Sequence, residues 1–557
     1  MASFNMNKSV IYALLCITSV FFSGFVLAQD EQPVAHVLPV VKTQNDTYGE
    51  ALGTVHFPVS CNEVARQHAS RGLALLHHMT YVGAREAFIA ATQADADCAM
   101  GYWGQAMSFI HPLWSDLPSE SEFKKGQELV TLARDRGQKS VWEQAYIRAV
   151  AAYYTEGRKR DEIANIASFE KAWHDVYNQF PKDPEAASFY ALTHMATASK
   201  DAQDYVKQEH AAEIAKQVLA RMPGHPGAHH YIIHAYDSPT LAEKALEVAR
   251  RYGEITSNVP HALHMPSHIF TRLGLWQESI VMNQRAATAA LANPVDNTVS
   301  LHYLHALDYL AYAYLQRADD AKATQVLHAI ASLNIPVQTH VASAYTLAAV
   351  PARLVLERRQ WIAASELELG RPDDFPWEQF PAIQAITHFA RALGAAKIGN
   401  ESVARKALDQ LMVLQNQVEK VSESWAKQIE IQRLSAQAWL VYQQDNPEQA
   451  LGIMREAAEM EAESEKSPVT PGAILPAGEL LADMYLALGK YSQAQAAYLS
   501  KLTRSPNRFN SLYGVARSAE LSDDHNKAKL YYTKLVDVAA NDSVREELLQ
   551  AKTYLED

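Results

Sequence analysis

The chain is 557 residues long, with 48% hydrophobic, 9% aromatic and 20% charged residues. That composition builds packed cores and excludes general disorder. The formal charge of −13 argues against binding phosphate backbones, and no basic amphipathic run points to a membrane surface.

Residues 1–28 read as a secretory signal. Lys8 is the sole charge, Val10 to Leu27 is largely apolar, and Val26-Leu27-Ala28 offers small residues for a cut before Gln29. An uncleaved anchor is the alternative, weakened by Ser19, Ser23 and Gly24. Leu15 before Cys16 rules out a lipoprotein box. Export implies a periplasmic or secreted protein. It also makes the two remaining cysteines, Cys61 and Cys98, a candidate disulfide, with two buried thiols as the alternative. Residues 29–56 carry Pro33, Pro39, Gly49 and Gly53 with little periodicity, and read as an extended leader, lying on the fold or loose.

From Val64 onward apolar residues recur at steps of three and four, so the class is all-α. Short Gly, Pro, Asn and Asp clusters separate the helices, as at Met222-Pro223-Gly224 and Asn293-Pro294. The helices come in pairs with one signature. Leu488-Gly489-Lys490-Tyr491 is followed by Ala494, Tyr498 and Pro506. These are a turn glycine, an aromatic, a small residue at the helix crossing, a second aromatic and a closing proline. The frame recurs at Leu273-Gly274-Leu275-Trp276 with Ser279 and Ala286, and at Tyr81, Ala84, Phe88 and Ala91. A last copy begins near Asn510 with Tyr513, Ala516 and Tyr531. This is the tetratricopeptide pattern, and it predicts a right-handed helical solenoid whose first helices line the concave face. Residues 57–345 and 471–557 carry the clearest repeats, 346–470 are degenerate, and Ser467 to Gly472 reads as a boundary.

Three segments carry a resemblance to a family: His225 through Phe270, Cys98 through Met107, and Pro468 to Ala482. Together they resemble a bacterial family of exported tetratricopeptide-repeat proteins. The resemblance implies a signal peptide, a repeat fold and a histidine-bearing central block, and no particular reaction.

That block is the strongest chemical signal. Nine of the 22 histidines lie between His225 and His305. His230 and His234 are four apart on one helix, a spacing that brings two imidazoles onto one metal. Counting back from Gly274 places His261, His264 and His268 on one concave face, with His261 in the cap if Pro266 opens the helix. His302, His305 and Asp308 follow at steps of three in the next repeat. The expected ligand set is His230, His234, His264 and His268, with His305 next. His261, His302, Asp237 and Asp308 are expected to orient a ring or serve as alternative ligands. Imidazole suits zinc, copper, iron and nickel, and zinc or copper is the expected ion.

His77, His78, His111 and Trp114 read as repeat-edge residues able to extend the groove; His194, His340 and His388 read as isolated. Trp103, Trp276 and Tyr491 read as core. There is no HExxH, GxSxG, P-loop or dinucleotide fingerprint. Three functions follow as expectations. The first is an exported scaffold that grips a protein, peptide or small ligand in its groove beside a histidine-bound metal. The second is a metalloenzyme, hydrolase or oxidoreductase, using that metal. The third is a metal-free adaptor.

Overall fold

The computed structural model describes residues 51–114, 117–154, 162–198, 204–295, 297–467 and 469–556. The expected signal and most of the leader lie outside them. Helices follow one another from Glu63–His77 to Glu546–Glu556, and the described residues hold no named β-strand, only isolated bridges. Among the described residues, no helix is long and apolar enough to cross a membrane.

The repeat is written in the turns. Met79, Gly274, Ala318, Arg359, Gly399, Asp445, Gly489 and Asp523 all take left-handed backbone, with φ from 53 to 74°. After each, the next residue's N–H returns to the carbonyl five positions earlier, from Thr80 to Leu75 through to Asp524 to Ala519, at 2.8–3.4 Å. The left-handed residue itself donates to the carbonyl three positions earlier. This is the Schellman closure, which satisfies the last carbonyls of one helix while the chain reverses into its partner. Three of these turns use glycine; Ala318, Arg359, Asp445 and the rest accept a strained backbone. The segment 346–470 therefore keeps the repeat's turn at Arg359, Gly399 and Asp445 although its sequence frame has faded. The chain is a helix-pair solenoid throughout the described residues.

Small residues let paired helices approach and aromatics fill the gaps between pairs. Ala84, Phe88, Ala494 and Ala516 are fully buried, as are Trp103 and Tyr498. Trp276 is buried too, but Tyr491, the first residue of its helix, is only half-buried. One hydrophobic core runs from Leu52 to Leu354 and a second from Ala344 to Val515; the changeover falls within the helix Val341–Leu356.

Cys61 and Cys98 are bonded, with Cα atoms 4.9 Å apart. The bond clamps the first helix pair, Glu63–His77 and Tyr81–Ala94. The end of the leader lies on the solenoid: Thr54 N–H donates to the Gly224 carbonyl at 2.8 Å and His56 N–H to Glu185 at 2.6 Å. The segment read as a boundary, together with the two residues before it, runs back across the histidine-bearing helices. Glu465 accepts from Tyr205, Lys466 pairs with Asp237, and the Thr470 carbonyl accepts from Tyr309.

Candidate metal centre

Three consecutive inner helices supply the rings. Pro226–Tyr236 opens with proline in its first turn and with His225 as its cap, whose Nδ1 accepts from Ala228 N–H. It carries His230 and His234 on one face. The next inner helix is broken into Pro260–His264 and Pro266–Arg272, because Pro266 has no N–H to give. His261 thus sits inside a helical turn rather than in a cap. Leu301–Gln316 follows and carries His305.

These rings do not form one four-histidine site. They fall into two triads, His230–His234–His261 and His264–His268–His305, and within each the ligand atoms lie within 4.8 Å of one another. In the first, the ring of His230 is 4.8 Å from His234 and 5.1 Å from His261. In the second, His264 is 4.9 Å from His268 and 4.3 Å from His305. The triads adjoin: His234 lies 6.2 Å from His268, and His261 6.4 Å from His264.

Tautomers follow from the neighbours. His264 Nδ1 lies 2.6 Å from Asn283 Oδ1. Asn283 spends its amide donor on the Ser279 carbonyl at 2.7 Å, so its oxygen faces the ring and His264 Nδ1 carries the proton. His268 Nδ1 donates to Asp237 Oδ2 at 2.9 Å. Both Nε2 atoms then present lone pairs to each other across 3.0 Å. His230 Nδ1 donates to the His77 carbonyl at 2.7 Å, and its Nε2 stands 3.1 Å from that of His234. Nitrogens bound to one zinc-sized ion at 2.0–2.1 Å are about 3.3 Å apart, so both pairs are close to chelating distance. His261 has no partner at either ring nitrogen, and His305 none at Nδ1, although both are buried. Such orphaned buried donors and acceptors are rare and costly.

Protonation does not resolve the facing lone pairs. Burial, then the neighbouring rings, holds His230, His261, His264 and His305 well below the ordinary imidazole range. Burial takes His234 down to about 3 and lowers His268 despite Asp237. The rings are neutral bases, the form a metal takes.

Asp237 is an anchor, not a ligand. Burial opposes its charge, yet Lys466 and Arg272 hold its carboxyl well below the usual range. Arg272 Nε donates to it at 2.8 Å and Lys466 Nζ at 3.1 Å. Asp308 is different again: it pairs with buried Arg353, and burial outweighs that partner to leave its carboxyl at about 6. It orients no ring of the triads. His302 flanks His261 at 5.4 Å and meets Trp114 edge-on, as His340 and His261 also approach that indole.

A third cluster, His77, Glu185 and His225, is close-set but saturated. Glu185 Oε2 accepts from both rings at 2.7 and 3.1 Å, Oε1 takes the His56 N–H, and His77 Nδ1 meets the Tyr231 hydroxyl. With every atom paired it ties the leader to three helices and needs no ion. Sequence reading missed Glu185, Asn283, Arg272 and Lys466. Only Pro184-Glu185, placed like His225-Pro226 at a helix start, carried any signal.

The fold and this site define a class: an all-α helical-repeat protein with six clustered, neutral, mostly buried imidazoles. No known family's sequence model matches the chain, and no curated protein matches it. Among solved structures it is similar to a tetratricopeptide repeat protein from Parabacteroides merdae, at 16% identity over 53% of this chain and 98% of that one, TM-score 0.28. It is also similar to yeast Tom70, at 12% identity over 88% of this chain and 95% of that one, TM-score 0.32. Likenesses this slight carry no argument; the repeat assignment rests on the turns and helix pairs themselves.

Proposed function

We propose that the protein is an exported metalloenzyme whose solenoid holds transition-metal ions, copper or zinc, in the two histidine triads. The observation that carries this reading is the pair His264 and His268, whose Nδ1 protons are committed to Asn283 and Asp237 while their Nε2 lone pairs face each other at 3.0 Å. A cation between them turns that repulsion into two bonds. Each triad offers three protein ligands, the number used by catalytic sites that keep a position open for water or substrate; closed structural sites use four. Export is supported by the signal-like residues 1–28 and by the Cys61–Cys98 bond.

Metal content of the mature chain, purified from the periplasm or medium without chelators, tests this directly. Stoichiometric copper or zinc is expected in the native protein, with loss of at least half in His268→Asn and unchanged circular dichroism. A metal-free chain that also refuses both ions on reconstitution would reject it.

A second reading has its own observation. A cavity of about 400 Å³ lies in the C-terminal part of the solenoid, lined by Arg359, Lys397, Trp439, Asp483, Tyr498 and Gln550. It favours a solenoid that also grips a protein, peptide or small-ligand partner, and peptide-library binding that falls in Lys397→Met would support that role.

A further inference from the structure

The geometry points to a dinuclear copper centre that binds dioxygen between its two ions, an inference that rests on the metal reading above. The first argument is charge. Among the described residues, the six atoms gathered in the triads are all imidazole nitrogens, and no carboxylate joins either group. Asp237 is taken up by His268, Lys466 and Arg272. Arg272 also reaches Glu465 at 3.5 Å, so the four charged groups behind His268 balance among themselves. Two divalent zinc ions would bring four positive charges into a buried place that offers no anion. Two copper(I) ions bring two, and unpaired charge is costly to bury. Copper(I) also accepts three nitrogen ligands without a fourth, whereas zinc wants its tetrahedron completed.

The second argument is placement. His261 and His264 lie on the same short turn, Pro260–His264, yet belong to different triads. One turn of backbone therefore fixes both ions side by side, and the His234–His268 approach closes the other side. The third is size. His230, His261, His264, His268 and His305 are each at most 7% exposed, so whatever bridges the ions must be small and arrive uncharged. His234 and His302 are less fully buried than these five. Dioxygen meets both conditions. Each copper(I) gives up one electron, dioxygen accepts the two and becomes peroxide, and the peroxide bridges two copper(II) ions. No proton or further reductant enters that step.

The full mature chain, stripped of metal, is titrated with copper(I) under nitrogen against a chromophoric copper(I) chelator, then exposed to oxygen. The expected result is two copper ions per chain and one dioxygen consumed per pair. The oxidised protein should give less than a tenth of the copper(II) paramagnetic resonance of the same copper in acid, because the bridged spins cancel. His261→Asn and His305→Asn should each keep one copper, lose dioxygen uptake at least tenfold, and show the full resonance of that one copper once ferricyanide has oxidised it to copper(II). Full resonance from wild-type protein with two copper ions would overturn the bridged pair while leaving the metal reading intact. So would zinc displacing copper(I) at equal concentration. Binding of no metal at all would remove both readings. If a variant fails to fold, the wild-type titration decides alone.

Discussion

Asn283 shows how much one side chain decides. Its amide is oriented by the Ser279 carbonyl, its oxygen then sets the proton on His264, and that leaves Nε2 free for a metal. Partners of this kind are worth roughly 10–100-fold in metal affinity. Asn283→Leu is therefore expected to weaken copper or zinc binding by about that factor, read by competition with a chelator, while Asn283→Asp keeps most of it. Lys397 supplies a different residue-scale test. Burial lowers its ammonium to about 8, with Asp483 opposing and Arg359 assisting, and its Nζ lies 3.2 Å from the centre of the Trp439 ring. The unfolded chain holds that proton up to the ordinary lysine range, near 10.4. Between about 8 and that value the unfolded state binds more protons, so stability rises with pH across this window, by a few kcal/mol for a shift of this size. Denaturant midpoints measured from pH 7.5 to 10.5 should rise in wild type and rise less in Lys397→Met. Lys466, also lowered to about 8, keeps part of the slope.

At the scale of the element, the repeated turn matters more than the residues that fill it. Gly274 and Gly489 have nearly the same φ, 66 and 67°. They differ in what stands beside them. A Cβ on Gly274 would lie 2.3 Å from the Pro506 carbonyl, whereas on Gly489 its nearest neighbour is the Tyr491 hydroxyl at 4.0 Å. Gly489→Ala is expected to cost only the left-handed strain of about 1–2 kcal/mol. Gly274→Ala should cost clearly more, because backbone must move as well, and the difference is read from paired unfolding curves. The same comparison explains why the degenerate stretch 346–470 was hard to read. Arg359 and Asp445 occupy turns where a consensus expects glycine, and since backbone hydrogen bonds close each turn, no side-chain signature is required. Pro266 had the opposite effect. Its missing N–H splits one inner helix, and that split places His261 in the turn that shares a wall with His264.

Across the whole molecule, late repeats return to early ones. Trp276 Nε1 donates to the Asn507 carbonyl at 2.8 Å, and Asn507 Nδ2 to that of Gly274 at 3.2 Å. Arg508, fully buried, binds both Glu357 and Glu479 and also reaches Tyr312, so one guanidinium joins four helical segments. Arg508→Met would leave two buried carboxylates without their cation and is expected to cost about 3–5 kcal/mol. Its unfolding should precede that of Arg517→Met, whose ion pair with Glu520 is partly exposed. The disulfide acts at the other end. It closes a loop of 37 residues in sequence, so Cys61→Ser with Cys98→Ser should lower stability by roughly 3–4 kcal/mol. Metal content should stay unchanged, because neither cysteine touches the triads.

The sequence by itself determined the helical class, the paired repeats, the cysteine pair and the crowding of imidazoles between His225 and His305, because each of these is a local spacing along one helix or turn. It could not divide the rings. Which three share a volume depends on how neighbouring helices are offset, so His261 moved from the margin to full membership and Asp308 left for Arg353. Nor could it find Asn283, Arg272 and Lys466, which reach the centre from an outer helix, a helix end and a segment 229 residues away from Asp237 in sequence. Spacing is set by bonds along the chain. Partnership is set by packing between turns of the solenoid, and only the folded molecule brings those turns together.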